Sequence, residues 1–143
     1  MENQVVTSVV DRNNIKAPFR ITSGKVLIDR TGAIEIWLDN RLASTTEVFA
    51  GALLDQCRAA VMVPTNSFGK GLIQAVYRLQ NGGGLVLTVA KYVTPNGTDI
   101  QGTGIVPNIN TKPPLLFNPT YTSKIDFVEI SARLKGGMCA PVA

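Results

Sequence analysis

Apolar positions along this chain fall into short blocks separated by glycine, asparagine and proline. Residues 4–11 (QVVTSVVD) are rich in Val and Thr and predict a strand. Arg12-Asn13-Asn14 supplies turn chemistry, because asparagine tolerates positive φ. Residues 19–22 predict a short returning strand, and residues 25–29 (KVLID) another. Residues 34–38 (IEIWL) read as a compact apolar strand that ends at Asp39-Asn40. A helix follows over residues 44–56, with Val48, Phe49, Ala52 and Leu53 at helical spacing as its expected buried stripe. Gly51 costs such a helix about 1 kcal/mol relative to alanine and suits close packing against a neighbour. Residues 58–63 (RAAVMV) are an apolar strand stopped by Pro64. Strand, helix, strand in this order is a βαβ unit, so parallel pairing with a right-handed crossover is expected.

After the loop of residues 65–71 (TNSFGKG), residues 72–79 and 85–93 alternate as two further strands. The run Gln80-Asn81-Gly82-Gly83-Gly84 between them permits the positive φ values of a hairpin turn. Pro95-Asn96-Gly97 is another turn, residues 99–109 read as a glycine-rich ordered loop, and residues 125–134 as a short amphipathic helix. The fold class is therefore α/β: a strand-helix-strand unit followed by a β-hairpin.

Composition narrows the chemistry. The chain has 143 residues, enough for one domain or part of a larger one, and an apolar fraction of 45% that suits a packed core. Its net charge of +4 is spread thinly, with no basic run and no aromatic residues interleaved with basic ones, which argues against a nucleic-acid partner. No apolar run approaches the roughly 20 residues of a membrane span. Two cysteines, Cys57 and Cys139, lie far apart and fix no redox compartment. With no histidine and no CxxC pair, a zinc site is not expected, and no cofactor is implied.

The absence of histidine also rules out a Ser-His-Asp triad, so an activated serine would need another base, and lysine is the known substitute. Two places offer these groups. Ser44-Thr45-Thr46-Glu47 opens the apolar helix. It reads as a capping box, and equally as a serine at the C-terminal edge of a parallel sheet, where open α/β sheets carry their sites. Phe68-Gly69-Lys70-Gly71 is not a Walker loop, because Pro64 and Gly71 occupy positions that motif reserves for glycine and Ser/Thr. Lys70 is either an exposed loop lysine or a desolvated base able to take a proton from serine. Gln74, four residues on, is placed either to orient that amine or as a plain strand residue. Trp37, Tyr77 and Tyr92 read as packing residues, and Asp55 as a surface or capping group rather than a catalytic acid.

Taken together these blocks resemble the C-terminal processing peptidases, also called tail-specific proteases. The resemblance runs over Asp39 through Val48, Ala50 through Leu53, Phe68 through Gly71 with Gln74, then LTVAKYVTPNG (87–97) and IQGTGIVP (100–107). TPNGTDI is most similar to the branch from cyanobacteria, algae and plants that processes a photosystem II reaction-centre precursor. The resemblance implies a serine endopeptidase with Ser44 as nucleophile, Lys70 as general base and Gln74 positioning the lysine. It implies the C-terminal part of a crotonase-like (ClpP/crotonase-type) core over residues 1–143, with the PDZ domain and the first half of the core absent. It also implies a protein substrate with an exposed C-terminal tail, in the thylakoid lumen of a chloroplast or a bacterial periplasm. The chain departs from the family in its Leu-Ala-Ser-Thr-Thr surround and in one added residue between Arg58 and Phe68. Sheet edges left open by the absent half would favour self-association. The competing reading is a catalytically silent module for binding or assembly. A crotonase-like acyl-handling domain is weaker, since no basic, adenine-accommodating site is evident.

Overall fold

The computed structural model describes residues 3–25, 28, 32, 34–63 and 65–110. The expected helix over residues 125–134 and most of the strand expected at 25–29 lie outside these residues.

Val5–Asp11 forms strand β1, and Lys16–Arg20 forms β2, antiparallel to it. The tight connection is tied by the Asp11 carboxylate, which accepts from the N–H groups of Asn13 at 2.8 Å and Ile15 at 2.9 Å. Asn14 takes φ 59 there, the positive value asparagine tolerates. So short a turn starts the return three residues earlier than residues 19–22 suggested. Pro18 falls within β2, at the sheet edge, where a missing N–H does least harm.

Glu35–Trp37 (β3), Thr45–Asp55 (α1) and Ala60–Val63 (β4) form the expected βαβ unit, with Glu35, Ile36 and Trp37 opposite Ala60, Val61 and Met62 in parallel register. Leu72–Arg78 (β5) and Gly84–Val93 (β6) form the expected hairpin, and Ile109–Asn110 (β7) pairs parallel to β4. Two sheets result, one of order β2-β1-β6-β5 and one of order β3-β4-β7.

Helix α1 lies between them, and its buried side differs from the expected stripe. Glu47, Ala50, Gly51 and Ala52 are buried, while Phe49 is 58% exposed. Small residues face inward because the neighbours come close: a Cβ on Gly51 would stand 3.0 Å from Ile105 Cδ1 and 3.1 Å from Thr94 Cγ2. Leu38, Ala50, Ile100 and Ile105 form the core, with Ile36, Val48, Leu54 and Tyr92 packed against it. Tyr77, by contrast, is half exposed on the hairpin. The helix end is tethered twice. Gln56 donates from Nε2 to the Val5 carbonyl at 2.7 Å, and Asp55, rather than capping its own helix, accepts from the Asn96 N–H of the 95–97 turn at 2.8 Å. Cys57 is disulfide-bonded, and Cys139 lies outside the described residues. No described helix is long and apolar enough to cross a membrane.

Candidate active site

The segment that leaves β3 turns sharply before the helix. Asp39 makes the turn, its Oδ1 accepting from the N–H groups of Arg41 at 2.9 Å and Leu42 at 3.1 Å. Ser44 then takes φ 61 and ψ −118 at the helix start. An L residue adopts such a conformation at a cost of about 1–3 kcal/mol, and only where its surroundings over-determine it. The surroundings here are backbone bonds. Ser44 N–H donates to Glu47 Oε2 at 2.8 Å, and its carbonyl accepts from Val48 N–H at 3.0 Å. Ser44 and Glu47 form a capping box, and its carboxylate half is the short bond from the Ser44 N–H. The hydroxyl is left at the mouth of a helix, where the helix dipole favours a developing negative charge.

Glu47 is wholly buried, and its carboxylate reaches beyond its own helix. Oε1 accepts from the Ser67 hydroxyl at 2.6 Å and from Gly69 N–H at 2.6 Å; Oε2 accepts from Lys70 N–H at 2.9 Å as well as from Ser44. One carboxylate oxygen thus joins the backbones of Ser44 and Lys70, whose nitrogens are no further apart than the sum of 2.8 and 2.9 Å. A buried carboxylate is tolerable only with such donors around it.

The lysine loop is held from its other side by residues 99–105. Ser67 Oγ accepts from Ile105 N–H at 2.7 Å, Asn66 Nδ2 donates to the Thr103 carbonyl at 3.0 Å, and Gly102 N–H donates to the Gly69 carbonyl at 2.9 Å. Gln101 Oε1 accepts from Gly71 N–H at 3.0 Å. Gly69 (φ 86) and Gly104 (φ 71) permit this approach; a Cβ on Gly104 would lie 2.3 Å from the Ser67 carbonyl oxygen.

The residues singled out from sequence fall out unequally. Ser44 and Lys70 are brought together at the backbone. Lys70 itself is exposed, so the burial expected to keep its amine neutral is not supplied by the described residues. Gln74 is exposed on β5 just after a register shift between Ile73 and Gln74, opposite Thr88; among the described residues no hydrogen bond joins its side chain to Lys70. Ser67, Gln101 and Asp99 escaped sequence reasoning. Their partners lie 20 to 38 positions away for Ser67 and 30 for Gln101.

Two carboxyls have displaced titrations. Burial pushes Glu35 upward, against a hydrogen bond from Trp37, and its Oε1 is buried without a partner. Asp99 is also raised by burial, but its hydrogen bond and charge attraction with Lys91, plus the Gln101 N–H, outweigh this and hold it below the ordinary carboxylate range. Among the described residues no group of three or more His, Cys, Asp or Glu side chains could hold a metal.

Comparison with known proteins defines the class. Residues 1–111 match Peptidase family S41, and the chain belongs to that family. Its relatives include the chloroplastic Carboxyl-terminal-processing peptidase 1 of Arabidopsis thaliana, 48% identical over 83 residues, which are 58% of this chain and 17% of that protein. The Carboxyl-terminal-processing protease of Synechocystis sp. is 35% identical over 126 residues, 88% of this chain and 29% of that one. Among solved structures, a photosystem II D1 C-terminal processing protease superposes with a TM-score of 0.73 at 32% identity, covering 99% of this chain and 34% of its own. The chain therefore spans about a third or less of these relatives, and its α/β fold corresponds to one part of their core.

Proposed function

We propose that this chain carries the nucleophile and base of a serine endopeptidase that cleaves near protein C-termini through a Ser44–Lys70 dyad. The observation that carries the reading is the single Glu47 oxygen shared by the Ser44 and Lys70 amides, which fixes the two residues against each other. The strained backbone of Ser44, the place of its hydroxyl at the start of α1 and the lack of any histidine support the same assignment. The names of the relatives supply the preference for C-terminal processing.

In this mechanism the Lys70 amine takes the proton of the Ser44 hydroxyl as Oγ attacks the scissile carbonyl. The tetrahedral intermediate collapses to an acyl-enzyme as the protonated amine passes its proton to the leaving nitrogen. Lys70 then deprotonates a water that attacks the ester and returns Ser44. A lysine serves as base only when desolvated. The substrate chain, lying over the exposed Lys70, supplies part of that cover. Gln74 orients the amine once it is covered. The oxyanion develops at the start of α1, toward the backbone N–H groups of its first turn.

The exposure of Lys70 also favours a second reading, a catalytically silent module that binds or assembles without turnover. The two separate on an unstructured peptide with an apolar C-terminus. In the protein at its natural length, Ser44→Ala and Lys70→Ala each abolish cleavage under the dyad reading. A folded natural-length protein that cuts nothing supports the silent module. For a photosynthetic source the site of action is the thylakoid lumen, and for a bacterial one the periplasm.

A further inference from the structure

Glu47 holds residues 67, 69 and 70, all up to and including the lysine. The exit of the loop is held separately. Ile100 and Ile105, exposed by 0 and 3%, anchor the 99–105 segment in the core, and the chain between them turns through Gly102 (φ 78) and Gly104 (φ 71). This places Gln101 over Gly71. The contact leaves no slack: a Cβ on Gly71 would lie 2.6 Å from the Gln101 backbone nitrogen. Gln101 is exposed, yet its backbone and side chain are both bound. Its N–H donates to Asp99 Oδ1 at 3.0 Å, the other Asp99 oxygen is ion-paired with Lys91 on β6, and its Oε1 accepts from Gly71 N–H at 3.0 Å. The Gly71 carbonyl in turn accepts from Tyr92 N–H at 2.7 Å.

Lys70 is flanked by two glycines, the residues with the greatest backbone freedom. Its amine sits on a four-carbon stem, so its position is no better defined than the loop dihedrals on either side. Among the described residues, Glu47 and Gly102 hold the Gly69 side, and residues 99–101 with β6 hold the Gly71 side. We propose that Gln101 is a positioning residue for Lys70, its side-chain carbonyl fixing the exit of the lysine loop so that the amine is aimed at Ser44 from both ends. This rests on the Ser44–Lys70 reading and adds to it a residue that touches neither substrate nor serine.

The test uses Gln101→Met, which keeps the bulk and removes the acceptor, and Gln101→Glu, which keeps an acceptor oxygen. Amide hydrogen exchange on this chain should show Gly71 exchanging at least about tenfold faster in Gln101→Met and near the wild-type rate in Gln101→Glu. In the protein at its natural length, peptide cleavage by Gln101→Met should lose about tenfold to a hundredfold in kcat with KM unchanged, and Gln101→Glu should restore most of it. A purely structural contact would lower the melting temperature without this split or rescue. Unchanged Gly71 exchange in Gln101→Met, or an unchanged kcat, overturns the proposal. The reading beneath it fails on a different variant: Ser44→Ala cutting at the wild-type rate removes the dyad, and Gln101's role with it.

Discussion

At the scale of single residues, one buried carboxylate ties the helix start to the lysine loop. Glu47 is buried and accepts four hydrogen bonds, three from backbone N–H groups and one from Ser67. Glu47→Gln replaces one acceptor oxygen with an NH2 that faces donors. Bonds to a charged group contribute about 1.5–3 kcal/mol each, so the variant should lose at least ~3 kcal/mol in denaturant unfolding. Ser67→Ala breaks one of these bonds and the bond from Ile105 N–H to Ser67 Oγ, and should cost about 1–3 kcal/mol. Glu35 behaves oppositely. Its folded-state titration lies above its ordinary value, so its favourable contribution is complete below pH 4.5 and is lost as pH rises through the raised value. Glu35→Gln should therefore raise the melting temperature at pH 7 and leave it unchanged well below pH 4.5; an equal shift at both pH values would contradict the assignment.

At the scale of elements, the helix start, the lysine loop and the 99–105 turn act as one unit. Gly104→Ala puts a Cβ 2.3 Å from the Ser67 carbonyl oxygen at φ 71, where a side chain is strained in any case. It should destabilise the chain by about 3 kcal/mol or more, and exchange at Ser67, Gly69 and Gly102 should accelerate first. Asp99 titrates below the ordinary range, so the stability it contributes is present above pH 3.8 and is lost as pH falls through its lowered folded value. Acid should therefore loosen the turn through loss of the Lys91 pair, and Asp99→Asn should remove that acid sensitivity. Periodicity and turn residues were enough to read the βαβ unit, the hairpin and the Ser44–Glu47 box, because these depend on neighbours within a few residues. They missed the inward face of α1. Helical spacing marks Phe49 as apolar, but the approach of Ile105 and Thr94 decides that Gly51 and Ala50 face in. They missed the hold of residues 99–105 on the lysine loop for the same reason: Ser67 and Gln101 look like ordinary loop residues until the core places Ile100 and Ile105.

At the scale of the molecule, the hairpin carries apolar side chains on both faces. Val76 and Val86 are 73% and 54% exposed on one, and Tyr77, Leu85 and Leu87 are 50%, 45% and 45% exposed on the other. Exposed apolar surface of this kind marks an interaction site or an aggregation hazard. Sedimentation velocity of this chain should show concentration-dependent association that Val76→Lys with Leu85→Lys suppresses; a wild-type monomer at all concentrations would contradict it. The proposed pairing of Ser44 and Lys70 at one Glu47 oxygen meets its sharpest test in cleavage of an unstructured peptide with an apolar C-terminus, comparing the natural-length protein with its Ser44→Ala and Lys70→Ala variants. Cleavage by the wild type and its loss in both variants is the expected result. Cleavage at an equal rate by either variant would contradict the claim.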